Sequence, residues 1–176
     1  MSTPSLLEGT ERFMRAAGQH IPDRPERPEI RTLALRLAML AEEVDEACKA
    51  AGIDLFTLGQ AVEHGAATGH ATSAVEFLVE EIEHAGTLNP VNTTELVDAY
   101  LDIGVVAWGG VLETAGAEAG NACADEVTRS NLAKIGPDGM CAKSPAGKVL
   151  KPADWTPPEI GLVLAKHRHP SHRAAE

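Results

Sequence analysis

The chain has 176 residues, a net charge of −11, 44% hydrophobic residues and only 3% aromatic residues. This length suits one domain with a hydrophobic core, and the apolar content excludes a disordered chain. The negative charge argues against nucleic acid and acidic membrane surfaces as partners, because both are polyanions.

The first half of the sequence predicts helices joined by an extended connector. Residues 5–18 predict a short helix, and the three prolines of IPDRPERPE predict the connector. A long helix is predicted from Ile30 to Ala51, where Gly52 ends it. Residues 53–73 have a mixed pattern and receive no assignment.

The second half predicts three more helices before an extended end. The first covers Ser73–Ala85, the second begins at a cap formed by Thr93 or Thr94 and runs to about Ala115, and the third runs from about Asn121 to just before Gly136. Residues 136–176 are rich in proline and glycine and end in a polar tail, so we expect them to be extended or mobile, with a lid and a solvated loop as the alternatives for their role. Together these patterns predict an all-α protein: a compact bundle of four to five helices in a single domain, 1–176, with its helical core at about 5–135.

Cysteine usage and hydropathy indicate the compartment. The three cysteines form no CxxC pair, which favours a reducing environment over a disulfide framework. The N-terminus shows no signal-peptide core, and no apolar run reaches the roughly 18 residues that a membrane span needs. We therefore expect a cytoplasmic protein, in the host cytoplasm if a phage encodes it.

The long helix carries a first cluster of acids in the stretch LALRLAMLAEEVDEA, residues 33–47. One face is an ordinary core stripe made of Leu33, Leu37, Leu40 and Val44. Leu35 and Met39 lie on the opposite face, and three acids extend that face: Glu42, Glu43 and Glu46. We expect these carboxylates to be partly buried under another helix or subunit. Because burial of unpaired carboxylates is costly, a cation is expected among them.

A second cluster lies in ELVDAYLDIGVVAWGGVLE, residues 95–113. Glu95, Asp98 and Asp102 fall within about 60° of each other on a helix. Like charges at this spacing weaken a helix, and such local conflicts often mark functional sites. Mg²⁺ or Mn²⁺ would resolve both conflicts, since these ions prefer carboxylate oxygens and water, and two or more of them suit phosphate chemistry. The alternative for each cluster taken alone is a solvated helix face.

The two clusters resemble the motifs of the all-α nucleoside triphosphate pyrophosphohydrolases, which include MazG-like proteins, dimeric dUTPases and phosphoribosyl-ATP pyrophosphohydrolases. The family signature EExxE followed by ExxD is similar to Glu42-Glu43-x-x-Glu46 and Glu95-x-x-Asp98. The resemblance continues through DEVTRSNLAK and GKVLKPADWTPPEI. It covers about residues 22–160 and is weakest over 53–90.

The resemblance implies an activity, a cofactor and an assembly. The implied protein is a homodimer or homotetramer that hydrolyses a (d)NTP to the (d)NMP and pyrophosphate with Mg²⁺ or Mn²⁺. One departure from the family pattern leaves the second motif open. The stretch DIGV, which begins at Asp102, matches the run that follows the second motif in MazG-like proteins. Asp102 is therefore alternatively the motif aspartate, and Ala99 then occupies the glutamate position. The expected metal ligands are Glu43, Glu46, Asp98 and Asp102, with Glu95 and Glu42 next in line. Glu42 or Glu46 would position the attacking water.

The resemblance also implies substrate contacts in the C-terminal third. Asn131 is expected to contact the nucleotide and Lys134 a phosphate, whereas the plainer alternative for Lys134 is a favourable helix C-terminus. Arg36, Lys148 and Trp155 are the remaining substrate-binding candidates. Their alternatives are an ion pair for Arg36, a solvated basic loop for Lys148, and a structural anchor instead of base stacking for Trp155.

The base is not readable from these residues. Similarity to the phage MazZ branch slightly favours a purine deoxynucleotide such as dGTP, and dUTP or dCTP is the alternative within the same fold. The alternative of another class is a non-catalytic helical oligomerisation or regulatory module, whose acidic faces would bind a basic partner.

Overall fold

The computed structural model of the chain describes residues 3–68, 71–86, 90–144 and 148–168. In these ranges the regular structure is helical, and the β-pairing is confined to isolated bridges. The helices are α1 (Leu6–Ala16), α2 (Ile30–Ala50), α3 (Leu55–Thr68), α4 (Ala71–Gly86), α5 (Thr93–Leu132) and α6 (Ile160–Arg168). The all-α prediction is confirmed, with six helices in the described ranges instead of four or five. None of the helices described is long and apolar enough to cross a membrane.

The contacts divide the chain into two compact units. Unit 1 contains Met1–Pro28 and Gly109–Glu176, and unit 2 contains Glu29–Trp108. The boundary falls inside α5. The single domain expected from the chain length stays a prediction.

Unit 2 is built from α2, α3, α4 and the first part of α5. Helix α3 packs against α4 and contacts α2, so residues 53–73, which the sequence left unassigned, supply α3 and the start of α4. Asp54 caps α3, because its Oδ1 accepts hydrogen bonds from the Thr57 backbone N–H (2.7 Å) and hydroxyl (2.8 Å). Helix α2 stops before Gly52, as predicted, and this glycine has a left-handed φ of 84°.

The start of α5 differs from the prediction by one or two residues. The side chain of Asn92, and not Thr93 or Thr94, caps the helix: its Oδ1 accepts the backbone N–H groups of Thr94 (3.1 Å) and Glu95 (3.2 Å). An asparagine oxygen satisfies these two free donors as well as a threonine hydroxyl does, so a sequence reading cannot choose between them.

The apolar stripe of α2 is not buried as predicted. Leu33 and Leu37 are 47% and 58% exposed, and Leu35 on the other face is 62% exposed. The buried residues of α2 lie at its C-terminal end, where Ala47 and Cys48 are in the core. The expectation that Leu33 and Leu37 pack in the core is therefore wrong for the isolated chain, because α2 extends beyond the helices that cover its end.

Unit 1 contains α1, the second part of α5, and α6. Helix α5 is interrupted at Gly116, whose φ of 75° and ψ of 172° are not helical. The sequence predicted this break between Ala115 and Asn121. The proline-rich connector packs at the break, where the Glu26 N–H donates to the Thr114 carbonyl (3.0 Å). A side chain at position 116 would collide with the Pro22 carbonyl oxygen.

The C-terminal segment is only partly extended. Two isolated antiparallel bridges pair Ile135 with Cys141 and Lys143 with Val149. The expectation of an extended end is wrong for residues 160–168, which form α6. Pro157 and Pro158 lie just before this short apolar run, and prolines at this place made a helix hard to recognise in the sequence. The polar tail from residue 169 lies outside the described residues.

Candidate functional site

The two acidic clusters lie side by side in unit 2. The Asn92 backbone N–H donates to the Ala50 carbonyl (2.9 Å), which joins the start of α5 to the end of α2. Each helix rises about 1.5 Å per residue. An antiparallel course from this junction brings Glu43 of α2 level with Asp98 and Asp102 of α5.

Glu43 is the centre of this acidic cluster. Its pKa is raised above the ordinary value, first by burial and then by the negative charges of Asp102, Glu46, Glu42 and Asp98. The four charges come from both helices, two from each. Four of the other five carboxylates predicted as ligands or catalytic groups therefore lie within electrostatic reach of Glu43.

The burial of these acids is smaller than predicted. Glu43 is half-buried, whereas Glu42 and Glu46 are exposed. Among the described residues of this single chain, the predicted partial burial is therefore seen for Glu43 and not for Glu42 or Glu46. Cover by another subunit stays a prediction.

Glu95, the remaining acid of the predicted set, stands apart. It is exposed in the first turn of α5 and does not contribute to the raised pKa of Glu43. Its backbone N–H is held by Asn92 in the helix cap. The two alternatives for the second motif place its aspartate at Asp98 or at Asp102. Both of these aspartates lie near Glu43, whereas Glu95 does not act on it.

The acids around Glu43 are suitable metal ligands in type, but their side chains are not arranged to coordinate an ion. In the part of the chain that the structure describes, no three His, Cys, Asp or Glu side chains are arranged to hold a metal ion. The donors around Glu43 are all carboxylate oxygens, which is the chemistry that Mg²⁺ and Mn²⁺ prefer. The residues therefore fit such an ion in type. Their exposed side chains would have to rotate inward to coordinate it.

Lys49 is a cation at this cluster that the sequence analysis did not single out. It forms an ion pair with Asp45 (2.6 Å) one turn earlier in α2. Its pKa is raised first by the hydrogen bond to Asp45, then by the Asp45 charge, and also by Glu46 and Glu42. Its spacing of three residues from Glu46 was the available sequence signal. Arg36 is half-buried in the same helix.

The other predicted substrate residues lie in unit 1. The Lys134 ammonium donates to Asn131 Oδ1 (2.8 Å), so these two residues contact each other. The Trp155 indole N–H donates to the Ser130 carbonyl (2.7 Å), which anchors the C-terminal segment to α5. This contact supports the anchoring alternative for Trp155, and base stacking stays a prediction. Lys148 is exposed.

Lys151 is a further cation of this segment, and the sequence makes it a lid candidate over the triphosphate, with a solvated basic loop as the alternative. Its ammonium lies 4.2 Å from the centre of the Trp155 ring, and the Lys134 ammonium lies 5.5 Å from it. The repeated lysines of GKVLKP were the available signal.

No protein-family model matches the sequence, and no curated protein matches it.

Proposed function

We propose that the chain is a metal-dependent nucleoside triphosphate pyrophosphohydrolase, which converts a (d)NTP to the (d)NMP and pyrophosphate. One observation carries the proposal: Glu43 lies among four other carboxylates of two helices, and its pKa is raised first by burial and then by the negative charges of these carboxylates. A cluster of carboxylates of this kind is unfavourable in the apo protein. It becomes favourable when a dication is bound among them. The EExxE and ExxD resemblance adds the reaction class.

The carboxylates have distinct roles in this proposal. Glu43, Glu46, Asp98 and Asp102 would hold Mg²⁺ or Mn²⁺, with Glu95 and Glu42 at the edge of the site. When bound, such ions neutralise triphosphate charge and favour deprotonation of water. Glu42 or Glu46 would accept a hydrogen bond from the attacking water and position it, and pyrophosphate would leave as the new phosphorus–oxygen bond forms and the anhydride bond breaks.

The substrate remains a matter for assay. Asn131, Lys134, Arg36, Lys148 and Trp155 keep the substrate-binding role that the resemblance implies. A purine deoxynucleotide such as dGTP is slightly favoured, with dUTP or dCTP as the alternative. The decisive experiment measures pyrophosphate release from the eight common NTPs and dNTPs, with Mg²⁺ and with Mn²⁺.

Matched variants test the site within that assay. Glu43→Gln and Asp102→Asn should each lower the rate at least about 100-fold, because each removes a ligand charge. Glu118→Gln makes the same charge change at an exposed acid of unit 1 and should retain the wild-type rate. Absence of pyrophosphate release from all eight nucleotides with either metal would reject the proposal and favour the non-catalytic module.

We also propose that the active form is a homodimer or homotetramer. Support comes from apolar side chains left exposed near the acids on both helices: Leu33, Leu35 and Leu37 on α2, and Val97, Tyr100 and Leu101 on α5. Isolated soluble chains rarely leave a wide apolar surface uncovered.

A further inference from the structure

Helices α3 and α4 of unit 2, called the α3–α4 pair below, carry apolar side chains that stay exposed. The two helices pack against each other, and α3 also contacts α2. Ala61 is fully buried, and the His64 and Phe77 rings lie with their centroids 6.0 Å apart. Five large apolar side chains of the pair are nevertheless between 40% and 72% exposed: Leu55, Phe56, Val62, Val75 and Val79. Apolar side chains grouped on one part of a soluble chain mark an interaction site.

The exposed apolar residues of each helix follow helical spacing. On α3, one stripe within about 60° of the helix circumference contains Leu55, Gly59, Val62 and Ala66, and all four are exposed. On α4, Val75 and Val79 lie one turn apart. This spacing is the one with which a helix presents an apolar face to another helix.

An acidic stripe borders the apolar face of α4. Glu76, Glu80 and Glu83 lie within about 60° of one another, beside the two valines, and all three glutamates are exposed. The whole stretch 54–86 contains six acidic residues and neither lysine nor arginine. This excess of negative charge attracts basic groups to the edge of the apolar face.

The charge of the α3–α4 pair identifies the chemistry of its partner. A symmetric dimer brings the same surface of two chains together, so contact between two such pairs would place acids against acids, which is unfavourable. The apolar side chains proposed to join copies of the chain lie on α2 and α5, which leaves this surface available. An amphipathic helix with lysines or arginines beside its apolar stripe complements both features, because it covers the apolar side chains and neutralises the glutamates.

We propose that the α3–α4 pair is a docking surface for a basic amphipathic helix of another protein. The apolar side chains of that helix pack on Val75 and Val79, and its cations pair with Glu76, Glu80 and Glu83. The residues proposed for metal and substrate binding all lie outside the pair. Docking therefore needs neither a dication nor hydrolysis and stands independently of the proposed enzymatic function.

The test is a fluorescence-anisotropy titration of the full chain with a labelled helical peptide of leucine and lysine, which has leucines on one face and lysines on the other. Saturable binding is expected, and added salt should weaken it because exposed charges are screened. A peptide with glutamate in place of every lysine should bind at least about tenfold more weakly, since the acidic stripe repels it. A peptide of the same composition without a continuous apolar face should also bind more weakly.

Matched variants of the chain locate the bound peptide. The double variant Glu76→Gln/Glu80→Gln should weaken binding about fivefold or more. The double variant Glu118→Gln/Asp125→Asn removes as many exposed acids from unit 1 and should change the affinity less than about twofold. Glu76→Asp/Glu80→Asp keeps both charges and should retain binding, which excludes misfolding as the cause of loss.

A second pair of variants tests the apolar contact. Val79→Ser should weaken binding of the basic peptide about threefold or more, because it removes apolar surface from the contact. Val127→Ser makes the same change at an exposed valine of α5 and should leave the affinity unchanged.

The proposal would be overturned by absence of saturable binding, by equal affinity for the lysine and glutamate peptides, or by equal losses in the two glutamine-containing double variants. Light scattering distinguishes the other occupant. If Val79→Ser converts an oligomeric wild type to a monomer, the α3–α4 pair contacts a second copy of the chain, and the proposal is likewise overturned.

Discussion

The ionisation of Glu43 makes the stability of the folded chain depend on pH. Its pKa is raised by burial and by neighbouring carboxylates, so the folded chain holds this proton more tightly than the unfolded chain does. The resulting stabilisation is fully present below the ordinary pKa of about 4.5 and is lost as pH rises through the raised folded-state value.

Removal of this charge should therefore change the pH dependence of stability. In EDTA, Glu43→Gln is expected to melt about 2 °C above the wild type near pH 7.5, because the glutamine relieves several like-charge contacts. The difference should shrink toward pH 4.5, where the wild-type carboxyl is protonated. Melting curves of the two proteins from pH 4.5 to 8 measure it, and a difference that does not vary with pH would contradict the assignment.

Divalent ions should reverse this penalty. Millimolar Mg²⁺ or Mn²⁺ is expected to raise the wild-type melting temperature by several degrees, since a ligand that binds only the folded state stabilises it. Asp102→Asn should abolish the rise, and Glu118→Gln, remote from the cluster in sequence, should retain it. If melting of the wild type does not respond to either ion, the acidic cluster is not a metal site.

At the scale of elements, the break in α5 depends on one glycine. Gly116 has a left-handed φ and faces the Pro22 carbonyl, so any side chain there meets both backbone strain and a collision. Gly116→Ala should lower the free energy of unfolding by at least about 2 kcal/mol.

A second glycine gives a matched control for this prediction. Gly9 lies inside α1, and a β-carbon there would meet nothing within 4 Å. Gly9→Ala should raise the free energy of unfolding by up to about 1 kcal/mol. Urea denaturation of both variants measures these values, and a Gly116→Ala protein as stable as the wild type would show that the connector does not pack at the break.

The carboxylate of Glu126 in α5 holds the residue directly before α6. The Arg129 guanidinium donates to both oxygens of Glu126 (2.8 Å each), and the backbone N–H of Glu159 donates to Oε1 (2.9 Å). These bonds, with that from Arg129 the largest, lower the pKa of Glu126 to about 2. The stabilisation is present above the ordinary value of 4.5 and is lost as pH falls through about 2.

Loss of this carboxylate should release α6. Glu126→Gln is expected to accelerate amide hydrogen exchange across residues 160–168 at neutral pH, because the glutamine replaces a charged acceptor with a weaker neutral one. Asp125→Asn removes an exposed carboxylate from the same stretch of α5 and should leave that exchange unchanged. Equal protection of α6 in the two variants would show that contacts other than those of Glu126 hold the segment.

At the scale of the whole molecule, the exposed apolar side chains of α2 and α5 indicate that the chain assembles with other copies of itself. Light scattering at micromolar concentration should report a dimer or tetramer. Leu35→Glu should shift it toward the monomer, because burial of a charge in an apolar interface is costly. Leu162→Glu changes an exposed leucine of α6 and is the control. A monomeric wild type would mean that the acids act within one chain.

The sequence by itself determined the helical class, the end of α2 at Gly52 and the break near Gly116. These features follow from local rules, since apolar periodicity, glycine and proline act through the backbone of a few neighbouring residues. The acids that form the cluster were also readable, because like charges on an apolar helix stand out in one dimension.

Only the tertiary structure decided which of those acids meet. Glu43 lies beside Asp98 and Asp102 because the end of α2 is bonded to the start of α5, and no local pattern encodes that junction. The same holds for the exposure of Leu33 and Leu37, for α6, and for the contacts of Lys134 and Lys151 with the Trp155 ring. Burial and proximity depend on the elements that cover a residue, and these come from distant parts of the chain.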